Sequence, residues 1–268
     1  MSEWWRPFYN AETKYLFVRQ SNLRRLPNGN PAERLEDLLA MSLPSDVKIV
    51  DVSQSDIHTL PPLPPTITHL YVGGNHLIKL MLHEGLQVLH CDSNPLDTLI
   101  LPSTLQVLNC LGCPIYKLDS FPAGLKTFRA GHWTLHTLPP LPPALEILEL
   151  QNIMTVEVKE FPASLKTIIM AGRSGLAPEA RLLRRNLPAL PDGLQSLIIR
   201  EMGIGTVVSF PPALHELVFF ANNIQEDLPS FPNHLQRLDL RYNTFKKYPT
   251  IPAYLKENHT QKGYFHPV

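Results

Sequence analysis

The feature that most constrains this chain is an internal period of about 20 residues. Aligned from Leu86, Leu105 and Leu125, the stretches LQVLHCDSNPLDTLILPST, LQVLNCLGCPIYKLDSFPAG and LKTFRAGHWTLHTLPPLPPA carry apolar residues at their first, fourth, sixth, eleventh and fourteenth places. The frame continues from Val47, Ile67, Leu145, Leu165, Leu194, Leu214 and Leu235, with a fragment at Leu255, and is read earlier from Thr13 through Leu16, Val18, Leu23 and Leu26. This makes about eleven units. Starts from Val47 onward are 19 to 21 residues apart, except for 29 between Leu165 and Leu194, and the first unit takes 34.

In the pattern L-x-x-L-x-L-x-x-N-x-L the middle apolar residues alternate with polar ones, so each unit predicts one short strand with one buried face. A single unit cannot close a core, whereas like strands stacked in parallel about 4.8 Å apart bury a continuous apolar column. Twenty residues leave no room for a regular return helix. The runs LPPLPP at 60–65 and 138–143 fill that path instead. Proline fixes φ and removes an N–H, which suits an extended, solvated segment, and the intervening leucines are expected to point inward. The two long units predict short helices on the return side. One lies in NPAERLEDLLAM, with Asn30 as N-cap and Pro31 at its first position, and the other in APEARLLRRN, opened by Pro178.

LPPLPPTITHLYVGGNHLIKL and LPSFPNHLQRLDLRYNTFKKYP follow LPxLPxxLxxLxVxxNxLxxLP, and over roughly residues 13 to 256 the chain resembles bacterial leucine-rich repeats of the short type. The type is similar to the repeat domains of type III secreted effectors, the YopM-like and IpaH/SspH-like proteins, which bind host proteins through the solenoid. The resemblance implies an α/β leucine-rich-repeat solenoid, with a curved parallel β-sheet on the concave face and proline-rich return segments carrying two short helices on the convex side. The expected organisation is a single domain over 1–268: an N-terminal cap at 1–12, repeats over 13–254 and a C-terminal cap at 255–268. Trp4, Trp5, Phe8, Tyr264 and Phe265 are the expected capping aromatics.

Three departures qualify the resemblance. IpaH-like proteins add a helical ubiquitin-ligase domain with a Cys-x-Asp motif; no such motif occurs here, and about a dozen residues follow Leu255, so ligase activity is not carried over. Repeats beginning near Thr13 leave little room for the longer leader and helical cap of those effectors. The ninth-place asparagine, present as Asn75, Asn94, Asn222 and Asn243, gives way to Cys113, Trp133, Ile153 and Met202 in the middle, where packing is expected to differ.

Strand places three, five and seven define the outward, concave face. Place five reads Asp51, Tyr71, His90, Asn109, Arg129, Glu149, Ile169, Ile198, Val218 and Asp239, with His69, Asp92, Ile147, Phe220 and Arg241 on the same face. Its first half is polar. The second is an apolar stripe of Ile147, Ile169, Ile198, Val218 and Phe220, which is costly to expose unless a partner covers it; the alternative is plain β-propensity. Tyr71, His90, Asn109, Arg129, Glu149, Ile147, Ile169, Ile198, Val218, Phe220, Asp239 and Arg241 are the expected protein-binding residues. His90 and Asp92 invite an enzymatic reading, but two residues of strand separate them by roughly 7 Å and Cys91 points inward, so neither a catalytic nor a metal site is expected.

Cys91 and Cys110 share the inward sixth place, and with Cys113 they read as structural thiols; CLGC alone is no zinc set. Three cysteines do not suggest a disulfide framework. Arg173, Arg181, Arg184 and Arg185 form either an anion patch or a solvated helix face. Net charge is zero, so nothing drives the chain toward nucleic acid, and no segment reaches the roughly 18 apolar residues of a membrane span. MSEWWRPFYN has neither the basic start nor the apolar core of a secretory signal. The expected function is a non-enzymatic protein–protein interaction module without cofactors. By resemblance it is a bacterial virulence effector, secreted into the host cytoplasm, whose partner is a host protein such as a signalling protein. Two alternatives stay open: the substrate-recognition part of a ligase-like effector whose catalytic domain is absent, or a binding protein of the bacterial cytoplasm.

Overall fold

The computed structural model describes residues 3–25, 34–131, 138–153, 158–172, 185–247 and 249–258. The chain forms two compact units, Met1–Leu135 and His136–Val268. In the first, β1 (Tyr9–Asn10) runs antiparallel to β2 (Tyr15–Phe17), and β2 is followed in parallel by β3 (Ile49–Asp51), β4 (His69–Tyr71), β5 (Val88–His90), β6 (Val107–Cys110) and β7 (Thr127–Gly131). In the second, β8 (Ile147–Ile153), β9 (Thr167–Gly172), β11 (Ser196–Arg200), β13 (Glu216–Phe220) and β14 (Arg237–Asp239) pair in parallel in that order. A small parallel pair, β10 (Arg185–Asn186) with β12 (Ile204–Thr206), stands apart from them.

Each repeat-bearing strand, from β2 at Tyr15 to β14 at Arg237, begins at the third place of its unit. The expected parallel solenoid is therefore realised in frame. First-place Val47, Ile67, Leu86, Leu105, Leu125, Leu145, Leu165, Leu194, Leu214, Leu235 and Leu255 are all buried, as are Val50, Leu70, Leu89, Leu108, Phe128, Leu148, Ile168, Leu197, Leu217 and Leu238 at the fourth. Each such side chain contributes about 1.5–3 kcal/mol on leaving water.

Prolines set the start of most units, while Leu86 closes the equivalent turn on the His83 carbonyl at 3.4 Å. The Ile67 N–H donates to the Pro64 carbonyl at 3.1 Å, and the same turn joins Leu105 to Pro102, Leu125 to Pro122, Leu145 to Pro142, Leu165 to Pro162, Leu214 to Pro211 and Leu235 to Pro232. Pro65, Pro143 and Pro212 occupy the next turn position, where a fixed φ suits a type I turn. From Val52 to Thr66 and from Asp92 to Gln106 the return path contains no helix. Leu60, Leu63, Leu138 and Leu141 are half-buried rather than fully inward, because the proline-bound segment runs along the surface of the column.

At the other end of each strand the chain turns through left-handed backbone at the eighth place. Gln54, Gly74, Ser93, Gly112, Asn152, Glu201, Ala221 and Tyr242 all have φ between 52° and 73°. The ninth-place asparagines follow. Asn75 Nδ2 donates to the carbonyls of Val52 (3.0 Å) and Val72 (2.8 Å), while its Oδ1 accepts from the N–H groups of Ser55 (2.9 Å) and Ile57 (3.1 Å). Asn94 repeats the pattern on Val72, Cys91 and Leu77, and Asn222 on Ile199, Met202 and Ile204. In the middle the packing changes as expected: Cys113 donates its thiol to the Cys91 carbonyl at 3.1 Å, and Ile153 and Met202 are buried apolar plugs. Trp133 lies outside the described residues.

Helix α1 (Leu35–Met41) has Arg34, not Asn30, at its N-cap. A side chain distant in sequence satisfies its first turn: the Leu35 N–H donates to Gln20 Oε1 at 2.7 Å. Asn30 and Pro31 lie outside the described residues, as do Pro178, Arg173, Arg181 and Arg184, Tyr264 and Phe265. A second helix, α2 (Ala253–Asn258), follows the last strand; its Leu255 is buried and the Tyr254 hydroxyl donates to the Pro232 carbonyl at 2.6 Å. At the front Trp4 is buried, with its indole N–H on the Ser42 carbonyl at 3.0 Å, and Trp5 packs edge-on against Tyr9. No described helix is long and apolar enough to cross a membrane.

Candidate functional site

Because all strands start in the same frame, their outward side chains form rows across each unit. In the first unit one row runs Phe17, Asp51, Tyr71, His90, Asn109 and Arg129. Asp51 is its electrostatic anchor: Oδ1 receives Arg19 Nη1, the Ser53 hydroxyl (both at 2.7 Å) and the Ser53 N–H (3.0 Å), and Oδ2 the Tyr15 hydroxyl (3.3 Å). Burial raises the Asp51 pKa, but Arg19 and the Ser53 donors outweigh it and hold the carboxyl below its usual range. Arg19 also lies 4.5 Å from the Phe17 ring centroid, and Phe17 is one of the exposed large apolar side chains.

Further along the row, the Tyr71 and His90 rings meet at 4.9 Å and 50°. Burial pushes the His90 imidazole down, against Asp92, which pulls it up. Asp92 accepts from Asn109 Nδ2 at 3.0 Å. Gly73 makes room for this pair, since a Cβ there would stand 2.8 Å from Asp92 Oδ1. Cys91, between His90 and Asp92 in the chain, is buried on the other side of the sheet, as are Cys110 and Cys113. Burial pushes the Cys110 thiol far up, which makes it an inert packing group rather than a nucleophile.

In the second unit the matching row is Glu149, Ile169, Ile198, Val218 and Asp239. Ile147, Ile169, Ile198 and Phe220 are half-buried at the surface. Two expected face residues differ. Val218 is only 1% exposed and Asp239 only 4%. Val218 stands between Ile198 and Asp239, two residues from the Phe220 ring, and larger neighbours overtop a short β-branched side chain. Asp239 is closed over by Arg241, whose Nε and Nη2 reach its carboxylate at 2.9 and 2.7 Å. Burial raises its pKa, and Arg241 more than offsets that, so the carboxyl stays below its usual range.

The same Arg241 guanidinium lies 5.5 Å from the Phe220 centroid, and Phe220 packs edge-on against Tyr242, which is 68% exposed. Tyr242 was not among the expected residues, although its eighth-place position next to Arg241 carries the signal. A polar row borders the patch, where Glu216 accepts from Ser196 at 2.7 Å and from Arg237 at 2.6 Å. The site is thus an aliphatic and aromatic surface on rigid strands, bordered by the Arg241–Asp239 and Arg237–Glu216 pairs.

No family model matches the sequence, and neither does any curated protein sequence. Among solved structures, the chain is similar to YopM from Yersinia enterocolitica WA-314, at 23% identity and a TM-score of 0.50 over 79% of this chain and 59% of that one. It is similar to YopM from Yersinia pestis, described as a leucine-rich effector protein, at 27% identity and a TM-score of 0.61 over 78% of this chain and 64% of that one. A Shigella effector leucine-rich-repeat domain is matched at 24% identity and a TM-score of 0.45, over 63% and 73%. The chain covers less than two thirds of either YopM. In-frame strands, asparagine ladder and the likeness to the two YopM structures agree: the fold is a leucine-rich-repeat solenoid, a fold that points to protein–protein interaction.

Proposed function

We propose that this chain is a non-enzymatic protein-binding module, a bacterial effector that engages a host protein through the outward sheet face of its second unit. One observation carries the reading. Half-exposed Ile169, Ile198 and Phe220 stand together on strands in fixed register, and from the turn after β14 exposed Tyr242 packs edge-on against the Phe220 ring and Arg241 lies beside it. Aromatic and arginine side chains held by a rigid backbone are what binding hot spots are made of, and an uncovered apolar patch disfavours solubility. Ile147, Glu149 and the Arg241–Asp239 pair lie in the same unit and supply the rim. In the first unit Tyr71, His90, Asn109 and Arg129 offer a second, polar contact surface suited to selectivity. The effector role and delivery into host cytoplasm rest on the likeness to YopM.

The test is capture from host-cell and bacterial lysates, with Ile198→Asp plus Phe220→Asp as the disabled form. Both positions face outward, so circular dichroism is expected to stay unchanged while capture is lost. Val218→Asp is unsuitable, because it buries a charge. Undiminished capture by the double variant refutes the second-unit face. A partner found only in the bacterial lysate refutes the host assignment.

A further inference from the structure

Away from the outward face, the first unit gathers Asp56, His58 and His76 where β3 and β4 give way to their return paths. Asp56 and His76 hold the tenth place of successive repeats, and His58 the twelfth, so stacking brings together residues that are a full period apart. Asp56 Oδ1 lies 3.0 Å from His76 Nε2. The His58 and His76 rings face each other at 4.9 Å and 25°. One ligand atom from each of the three fits within 4.8 Å of the others, and all three side chains are exposed to an arriving ion.

We propose that Asp56, His58 and His76 form a zinc-class metal site that staples two successive repeats. Two imidazoles and one carboxylate are the donor set of an open, borderline-soft divalent site, with water in the remaining position. With bonds of about 2.0–2.1 Å, ligand atoms of a tetrahedral zinc stand roughly 3.3 Å apart. The Asp56–His76 separation of 3.0 Å is already close to that value. What remains is a rotation of the exposed His58 side chain, which needs no backbone movement.

The backbone beneath the cluster is held on every side. The N–H groups of Ser55 and Ile57, which flank Asp56, are both bound by the buried Asn75 Oδ1. The His76 N–H donates to the Ile57 carbonyl at 2.8 Å. Glu36 Oε2 receives the N–H groups of His58 and Thr59, each at 3.1 Å, and the Arg34 guanidinium holds the Glu36 carboxylate at 2.8 Å. Three ligands on a backbone fixed in this way lose little freedom on binding an ion, which is the condition for a preorganised site.

The experiment is zinc titration of the untagged full chain by calorimetry at about pH 7.5, where few protons compete with the metal for imidazole. It is read beside the thermal midpoint with and without zinc. The expected result is one equivalent bound and a raised midpoint, with no such response to magnesium, which prefers oxygen ligands. His58→Ala and His76→Ala each weaken binding more than about ten-fold and remove the thermal shift, while circular dichroism stays unchanged. His215→Ala, at another exposed histidine, leaves binding intact. Cobalt in place of zinc develops visible bands in the parent and not in the variants. Stoichiometric zinc binding that survives the His58→Ala/His76→Ala double variant, or a zinc response no different from that of magnesium, overturns the proposal.

Discussion

Replacing Asn75 by alanine tests the account of the ladder more sharply than any other change. Five hydrogen bonds disappear, yet the groups they served are not equally stranded. The Gly73 carbonyl keeps the Gln54 N–H at 2.8 Å. The Val72 carbonyl keeps a donor in Asn94 Nδ2 at 2.9 Å. The Val52 carbonyl and the Ser55 and Ile57 N–H groups lose the asparagine partner at a site only 4% exposed. At about 1–3 kcal/mol per stranded group, with water reaching some of the space, the cost is roughly 3–5 kcal/mol. That is a large share of the ~5–15 kcal/mol of a typical domain. Asn94→Ala is predicted to be milder. The Val72 carbonyl then retains Asn75, the Cys91 carbonyl retains the Cys113 thiol, and the Leu77 N–H is left stranded, for about 1–3 kcal/mol. Urea unfolding gives the two totals, and native-state hydrogen exchange at the Ser55 and Ile57 amides gives the local loss directly. Equal costs for the two variants, or protection at Ser55 and Ile57 unchanged in Asn75→Ala, would refute the reasoning.

Two further predictions concern charge and backbone. Asp51 titrates below the usual carboxylate range in the folded state, so its pairing stabilises the fold above an ordinary Asp pKa of about 3.9 and is lost as pH falls through the depressed value. Arg19→Met removes the strongest partner and leaves only the Ser53 donors against burial, which raises the Asp51 pKa and moves acid unfolding to higher pH; a carboxyl titration by NMR that does not move sinks the idea. Ala221 has φ 52°, a left-handed conformation disfavoured for an L-residue by about 1–2 kcal/mol, so Ala221→Gly is expected to raise the urea midpoint by a net stabilisation of about 0.5–1 kcal/mol after glycine's entropy cost. A lower midpoint refutes that.

Frame and core were legible because each apolar place repeats along the chain, so Leu70, Leu89 and Leu108 report one another's burial. The outward face was legible in position but not in exposure. Whether Val218 or Asp239 reaches solvent depends on how far Phe220 and Arg241 extend across the neighbouring strands, which alternation along a single strand does not encode. The left-handed eighth place was signalled by Gly74 and Gly112 and masked by Gln54, Glu201 and Tyr242, whose types give no hint of positive φ. Asp56 and His76 escaped notice because metal-ligand spacing is sought within a few residues, whereas here stacking supplies the proximity.

The strands keep their third-place start even though the units range from 19 to 34 residues. Between Leu165 and Leu194 the longer unit returns to the same pairing, with Thr167 opposite Ser196 and Ile169 opposite Ile198. Sheet face and connecting chain are therefore separate variables. A repeat can lengthen or accept foreign sequence on its return side, provided it ends in the tight turn that closes on an apolar first-place residue, and the neighbouring strand still presents its side chains at the same rung. For a lineage adapting to new partners, or for an engineer grafting a loop, the return side is where the molecule can be rewritten without reshuffling the face.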